Sequence, residues 1–193
     1  NVHACAGVAV VKTHYPFSRA YELASQLCDR AKTFVRANKP ANSSGFSALD
    51  WHFATGGLYG SIDEIRQREY RVQLSEQTTG YLEMRPISLL NREDEWRTWP
   101  QLKSILDVLQ QDDGWRDRRN KVIQLRDALR QGPGAVEQFR LAYDLGKLPG
   151  AQTEEQLSLS GWSDNQCGYF DAIEALNFYV PLITDKSTSG PMQ

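Results

Sequence analysis

The sequence lacks the features that would place it quickly. No apolar run approaches the roughly 20 residues of a membrane-spanning helix, and no signal peptide is visible at its start. Cysteine is scarce: Cys5, Cys28 and Cys167 are odd in number and far apart, with none in a C-x-x-C pair. That argues against a disulfide framework or a zinc site and favours a reducing, cytoplasmic compartment. Charge of one sign is also lacking, since the formal net charge is -2. A whole-domain cationic surface for nucleic acid is therefore not expected, although a local basic face is allowed. There is no Walker loop, no G-x-G-x-x-G, no G-x-S-x-G elbow and no H-E-x-x-H. The glycine cluster Gly56-Gly57-Leu58-Tyr59-Gly60 has no lysine after it and reads as a loop.

What is present is a globular composition, with 40% hydrophobic and 24% charged residues over 193 positions. That length supports one domain with a real core, or one and a half small ones. The chain begins at Asn1 and runs directly into a strand, which reads as a piece of a longer protein.

Residues 2–11 are apolar on both alternating faces, the pattern of a central strand covered on both sides. A central strand needs two neighbours, so upstream strands are expected to be missing. A helix follows from Phe17 or Ser18 to Arg36. Its stripe is Ala20, Ala24, Leu27, Ala31 and Phe34/Val35, with Ser18 as candidate N-cap. The loop Asn38-Lys39-Pro40 through Ser43-Ser44-Gly45 leads to a second strand over Phe46–Phe53. Ser61-Ile62-Asp63-Glu64 has capping-box spacing before a short helix. Tyr70–Leu74 and Tyr81–Leu89 alternate around Thr78-Thr79-Gly80 and predict a hairpin. Three helices are expected over Thr98–Gln110, Trp115–Gln131 and from Gly132-Pro133 to Gly146. A loop over 147–166, a last helix over Tyr169–Tyr179 and a frayed tail over 184–193 complete the chain.

The expected class is α+β: a small antiparallel sheet with a covering helix, forming a partial ferredoxin-like palm, then a helical subdomain. The divisions fall at 1–90, 91–183 and the tail.

Candidate chemistry is sparse. His3, His14 and His52 are isolated, and His52 on a strand reads as structural. Asp112-Asp113 precedes Gly114 at a helix boundary and reads as a cap. Asp171 and Glu174 share a helical face, read as solvated. Lys32 sits at the margin of its helix's stripe. It reads as a snorkelling surface lysine, or as an ammonium reaching over the sheet edge toward an anion. The densest basic run is Trp115-Arg116-Asp117-Arg118-Arg119-Asn120-Lys121, continued by Arg126 and Arg130. It reads as a solvated face with local ion pairs, or as a phosphate-contacting surface for RNA.

The order Ala4-Cys5-Ala6-Gly7-Val8-Ala9-Val10, His14-Tyr15-Pro16, Ala20-x-x-Leu23-Ala24 and Ala31-Lys32 resembles one family. It is similar to the second palm domain of the large, polymerase-like subunit of type III CRISPR effector complexes. It is more loosely similar to diguanylate cyclases. The resemblance covers about 50 residues and weakens beyond Thr55. It implies a palm that binds nucleoside triphosphate with Mg or Mn, and cyclic oligoadenylate synthesis from ATP in active members, within antiviral defence. It carries phosphate contact to Lys32 and close nucleotide approach to Cys5, Ala6 and Gly7. Two departures stand out. Cys5 occupies the family's serine position, and the metal-binding Gly-Gly-Asp-Asp hairpin is absent. In the family that hairpin lies upstream of this strand, so metal ligands are not expected in this chain and the piece is not expected to be catalytic alone. The implied partners are the upstream half of the same palm and, beyond it, other effector subunits and RNA, with no membrane. The alternative is a degenerate palm: a non-enzymatic assembly or RNA-contacting module using Arg116, Arg118, Arg119 and Lys121.

Overall fold

The computed structural model describes residues 2–39, 45–54, 60–151 and 155–180. Most of the glycine cluster at 56–60, part of the expected loop at 38–45 and the expected tail lie outside the described residues.

The chain opens with β1 (Cys5–Val11), α1 (Phe17–Asn38) and β2 (Ala48–Ala54). Because α1 returns the chain to the end where β1 began, β2 runs parallel to β1, as crossover connections require. The two strands pair directly over seven residues, from Cys5 opposite Ala48 to Val11 opposite Ala54. A short β5 (Ile87–Ser88) joins the far side of β2 antiparallel, giving the order β1-β2-β5. The sheet is thus mixed, a correction to the expected antiparallel one. No strand lies between β1 and β2, as one would in a split βαβ unit.

β1, expected as a central strand whose other neighbours are missing from this chain, has one strand neighbour among the described residues, β2. Its odd-numbered residues face α1: Cys5, Ala9 and Val11 pack into the clusters built on Leu27 and Ala31. Gly7 lies against the helix backbone, where an added Cβ would come 2.2 Å from the Ala24 carbonyl oxygen. Its even-numbered residues Ala6 and Val8 are exposed, and β1 is the edge of its sheet among the described residues. Two-sided apolarity therefore does not mean two-sided burial here.

α2 (Ile62–Glu69) begins with the capping box the spacing predicts: Ser61 Oγ accepts from the Glu64 amide, and the Glu64 carboxylate accepts from the Ser61 amide. α1 starts one residue before the candidate cap. Pro16 is its N-cap, and no side chain caps it. The expected hairpin is shorter than predicted, β3 (Arg71–Gln73) with β4 (Thr79–Tyr81). The expected loop at 147–166 contains α6 (Glu155–Ser160) and β6 (Trp162–Ser163), and β7 (Gln166–Cys167) follows it. These make a second sheet, β3-β4-β7-β6, in which Tyr81 pairs with Gln166.

The remaining helices are α3 (Trp99–Gln111), α4 (Arg119–Gln131), α5 (Pro133–Ala142) and α7 (Phe170–Ala175). Thr98 caps α3, accepting from the Gln101 amide. Pro133 opens α5, where its missing N–H leaves no bond unmade. α4 starts later than predicted because residues 113–117 form turns, with Asp117 at φ 59°. The largest core crosses the expected division at residue 90. It joins Trp51, Tyr70, Leu82 and Met84 to Leu102, Leu125, Trp162 and Phe170. The other face of β2 is thereby covered by the helical half. Among the described residues, no helix is long and apolar enough to cross a membrane.

Candidate functional site

A seam of buried charge ties the βαβ unit to the helices. Asp50 on β2 and Arg66 on α2 are both fully buried and form a two-pronged pair at 3.0 and 2.6 Å. Arg66 also donates to the Trp51 carbonyl at 3.2 Å, and Arg30 from α1 lies 3.5 Å from the same aspartate. Arg30 of α1 and Arg66 of α2 thus meet on the one carboxylate that β2 carries. Neighbouring this pair, fully buried Arg85 reaches Asp171 at 3.4 Å and Glu174 at 3.3 Å. Asp171 accepts from the Met84 and Arg85 amides, and Tyr70 donates to Glu174 at 2.8 Å. Asp171 and Glu174 are therefore not the solvated face expected of them. Burial pushes both carboxyls up, while Arg85 opposes the shift.

Above this seam, at the carboxyl end of β2, lies a cleft with two chambers. Ligands of open sheets with parallel strands bind at this end. The inner chamber is about 150 Å³ and is lined by His52, Tyr70, Glu174, Arg126 and Arg130, with Tyr15 from the loop after β1. The outer chamber is about 500 Å³, with Arg118, Arg119 and Arg126 beside the apolar Leu109, Trp115 and Phe178. Phe53, Arg126 and Glu174 border both. Phe53 and Phe178 stack with centroids 4.6 Å apart and planes 11° off parallel. Burial, with help from Arg85 and Arg66, pushes His52 down to about 3, so its imidazole is neutral at neutral pH.

The residues singled out from the sequence distribute as follows. Cys5 and Gly7 face α1, Ala6 faces the opposite side, and none borders the cleft. Lys32 is exposed on α1 and pairs with Asp29 at 3.0 Å, a hydrogen bond that raises its pKa. The four do not converge on one point. Of the basic run, Arg118 and Arg119 line the outer chamber. Arg116 is exposed and lies 3.5 Å from Asp117. Lys121 turns inward, donating to the Gly114 carbonyl at 3.0 Å with its ammonium 4.1 Å from the Trp115 ring centre. Burial lowers its pKa, and it clasps the 114–115 turn rather than projecting to a partner.

Sequence reasoning passed over Tyr70 and gave His52 only a structural role. No local signal marks Tyr70, whose partner Glu174 is 104 residues away. Arg126 and Arg130 were legible as the continuation of the basic run, and their four-residue spacing places them on one helical face. Both guanidinium groups lie over the Phe170 ring, at 5.3 and 4.8 Å.

Among the described residues, no group of three or more His, Cys, Asp or Glu side chains is placed to hold a metal ion. The chain matches no protein-family model and no curated protein.

Proposed function

We propose that the chain is the C-terminal part of a palm-type domain from a polymerase-like subunit of the type III CRISPR kind, acting in antiviral defence. Its part is to bind and position nucleotide rather than to do chemistry alone. The observation that supports this reading is the opening unit. A strand runs through Tyr15-Pro16 into a 22-residue helix and a second strand, the order the resemblance implies. Among the described residues the edge of β1 and its outer residues Ala6 and Val8 are uncovered; the direct pairing of β1 with β2 departs from a split βαβ palm. In this reading the upstream half of the palm packs there and brings the metal-binding carboxylates. In this reading those carboxylates lie outside this chain.

Lys32 is the phosphate contact in this reading. It must exchange Asp29 for triphosphate oxygens, an exposed pairing that costs little to break. The test is ATP binding and product formation by the full-length parent carrying Lys32→Ala. The expected result is weakened ATP binding. Unchanged affinity and unchanged product yield would remove Lys32 from the reading.

A second reading, a non-enzymatic RNA-contacting module, is favoured by the exposure of Arg116, Arg118 and Arg119 on one turn. It predicts salt-dependent binding of single-stranded RNA that fades on charge reversal at these three positions. Absence of retention at low salt would dismiss it. Lys121 is no longer part of that surface, because its ammonium is held indoors.

A further inference from the structure

The two-chamber cleft forms where Tyr15 and the end of β2 meet the helical half, away from Lys32, and four features converge on it. First, arginine outnumbers acid in its lining, Arg118, Arg119, Arg126 and Arg130 against Glu69, Asp117 and Glu174, although Arg126 acts on Glu174. Glu174 is held by Arg85 and Tyr70, and Asp117 lies beside Arg116. Arg119 and Arg126 have no ion pair among the described residues. Second, α4 begins at this rim, and no side chain caps it. Its free amides and helix dipole add to the pull on an anion. Third, the outer chamber has an apolar floor, with the Phe53–Phe178 stack at the junction of the two chambers. Fourth, His52 lines the inner chamber, is 3% exposed, and its Nδ1 has no hydrogen-bond partner. A buried polar atom without a partner beside a cavity is a group awaiting one.

We propose that this cleft binds a small phosphate monoester carrying a planar heteroaromatic ring system. The phosphate sits at the arginine rim by the start of α4, and the ring enters the inner chamber against His52. The inner chamber, about 150 Å³, has the volume that takes one six-membered ring, so it receives the leading ring of the base. The polar part of the ring is read by uncharged groups, the His52 imidazole and the Tyr70 hydroxyl. This goes beyond the palm reading and survives its failure, because it uses neither Lys32 nor any upstream segment. It differs from the RNA reading in needing the inner chamber as well as the arginines.

The test is calorimetric titration of the chain at low salt with adenosine monophosphate, phenyl phosphate and inorganic phosphate. Adenosine monophosphate is expected to bind saturably at one site. Inorganic phosphate is expected to bind about tenfold more weakly or worse, the loss that follows from leaving a buried ring out. The exposed Arg119→Glu is expected to weaken both phosphate esters by about tenfold to a hundredfold, as for a lost charged hydrogen bond. His52→Gln, which keeps a polar group of similar reach, should weaken adenosine monophosphate while leaving phenyl phosphate unchanged. Should His52→Gln fail to fold, the comparison of the two esters on the unaltered chain still decides the ring's role: tighter adenosine monophosphate supports the polar chamber, equal affinity removes it. No saturable binding of either ester, inorganic phosphate as tight as the esters, or indifference to Arg119→Glu would each overturn the proposal.

Discussion

At the scale of single residues, burial rather than residue type decides what each charged group does. Asp50 and Arg66 are fully buried and satisfy each other in two bonds, whereas Lys32 and Asp29 meet in the open. Gly7 shows the same logic for size. Its small side chain reads as room for a ligand, but the space it leaves is filled by the backbone of α1 at Ala24 and Cys28. His52 gives the clearest measurable consequence. It is packed beside Tyr70, with rings 6.3 Å apart, and feels both Arg85 and Arg66. Its folded pKa, about 3, lies below its ordinary value of 6.5. Its contribution to stability is therefore complete above pH 6.5 and is lost as pH falls toward 3, with a slope of up to about 1.4 kcal/mol per pH unit. Glu83, Asp171 and Glu174 are shifted up by burial, so their contributions run the other way, declining as pH rises through their raised values. Denaturant melts of the wild type and His52→Gln across pH 7 to 4 separate the two. The stability difference should shrink steadily below pH 6.5. A difference that stays constant with pH would show that the imidazole is not buried as described.

At the scale of elements, periodicity and caps were readable and partners were not. The helix stripes, the capping box at Ser61 and Glu64, and Pro133 at the start of α5 are local features, and a sequence carries them within a few residues. β3–β4 and β6–β7 pair locally, but what joins them into one sheet is the pairing of Tyr81 with Gln166 across some 85 positions, which no window contains. What covers the outer face of β1 is beyond a local pattern for a related reason. An apolar strand reports what it tolerates, not what covers it. Its outer face carries Ala6 and Val8, and its edge has no proline and no charge within the strand, the protections edges usually carry. Val8 is 44% exposed, so Val8→Lys should change stability by no more than about 0.5 kcal/mol. The same substitution should lower any self-association seen on concentrating the chain, measured by light scattering on a sizing column. A large loss of stability would mean that the outer face of β1 is covered.

At the scale of the whole molecule, the expected boundary near residue 90 does not divide the core. Tyr70 meets Glu174, Arg85 meets Asp171, Gln166 reaches the Glu83 carbonyl at 2.9 Å, and β4 pairs with β7. The junction was illegible because each pair unites residues 83 or more positions apart, and charged residues in sequence read as surface. It is also what builds the cleft, since β2 supplies one wall and α4 and α7 the other. Removing one partner of a buried pair leaves the other charge unpaired. Asp171→Ala should therefore cost about 3 to 5 kcal/mol. It should also lower the melting of strand and helix signals together, in one transition. Separate transitions for the βαβ unit and the helices would show that the core does not couple them.

The two proposals concern two faces: triphosphate contact at Lys32 on α1, which in the palm reading also involves an upstream half, and a phosphate monoester in the arginine-rimmed cleft, which uses only described residues of this chain. Hydrogen exchange on the chain with and without adenosine monophosphate separates them in one measurement. The predicted result is slower exchange over residues 50–54 and 115–126, with residues 28–36 unchanged. Slowing confined to residues 28–36, or none anywhere at saturating ligand, would contradict it.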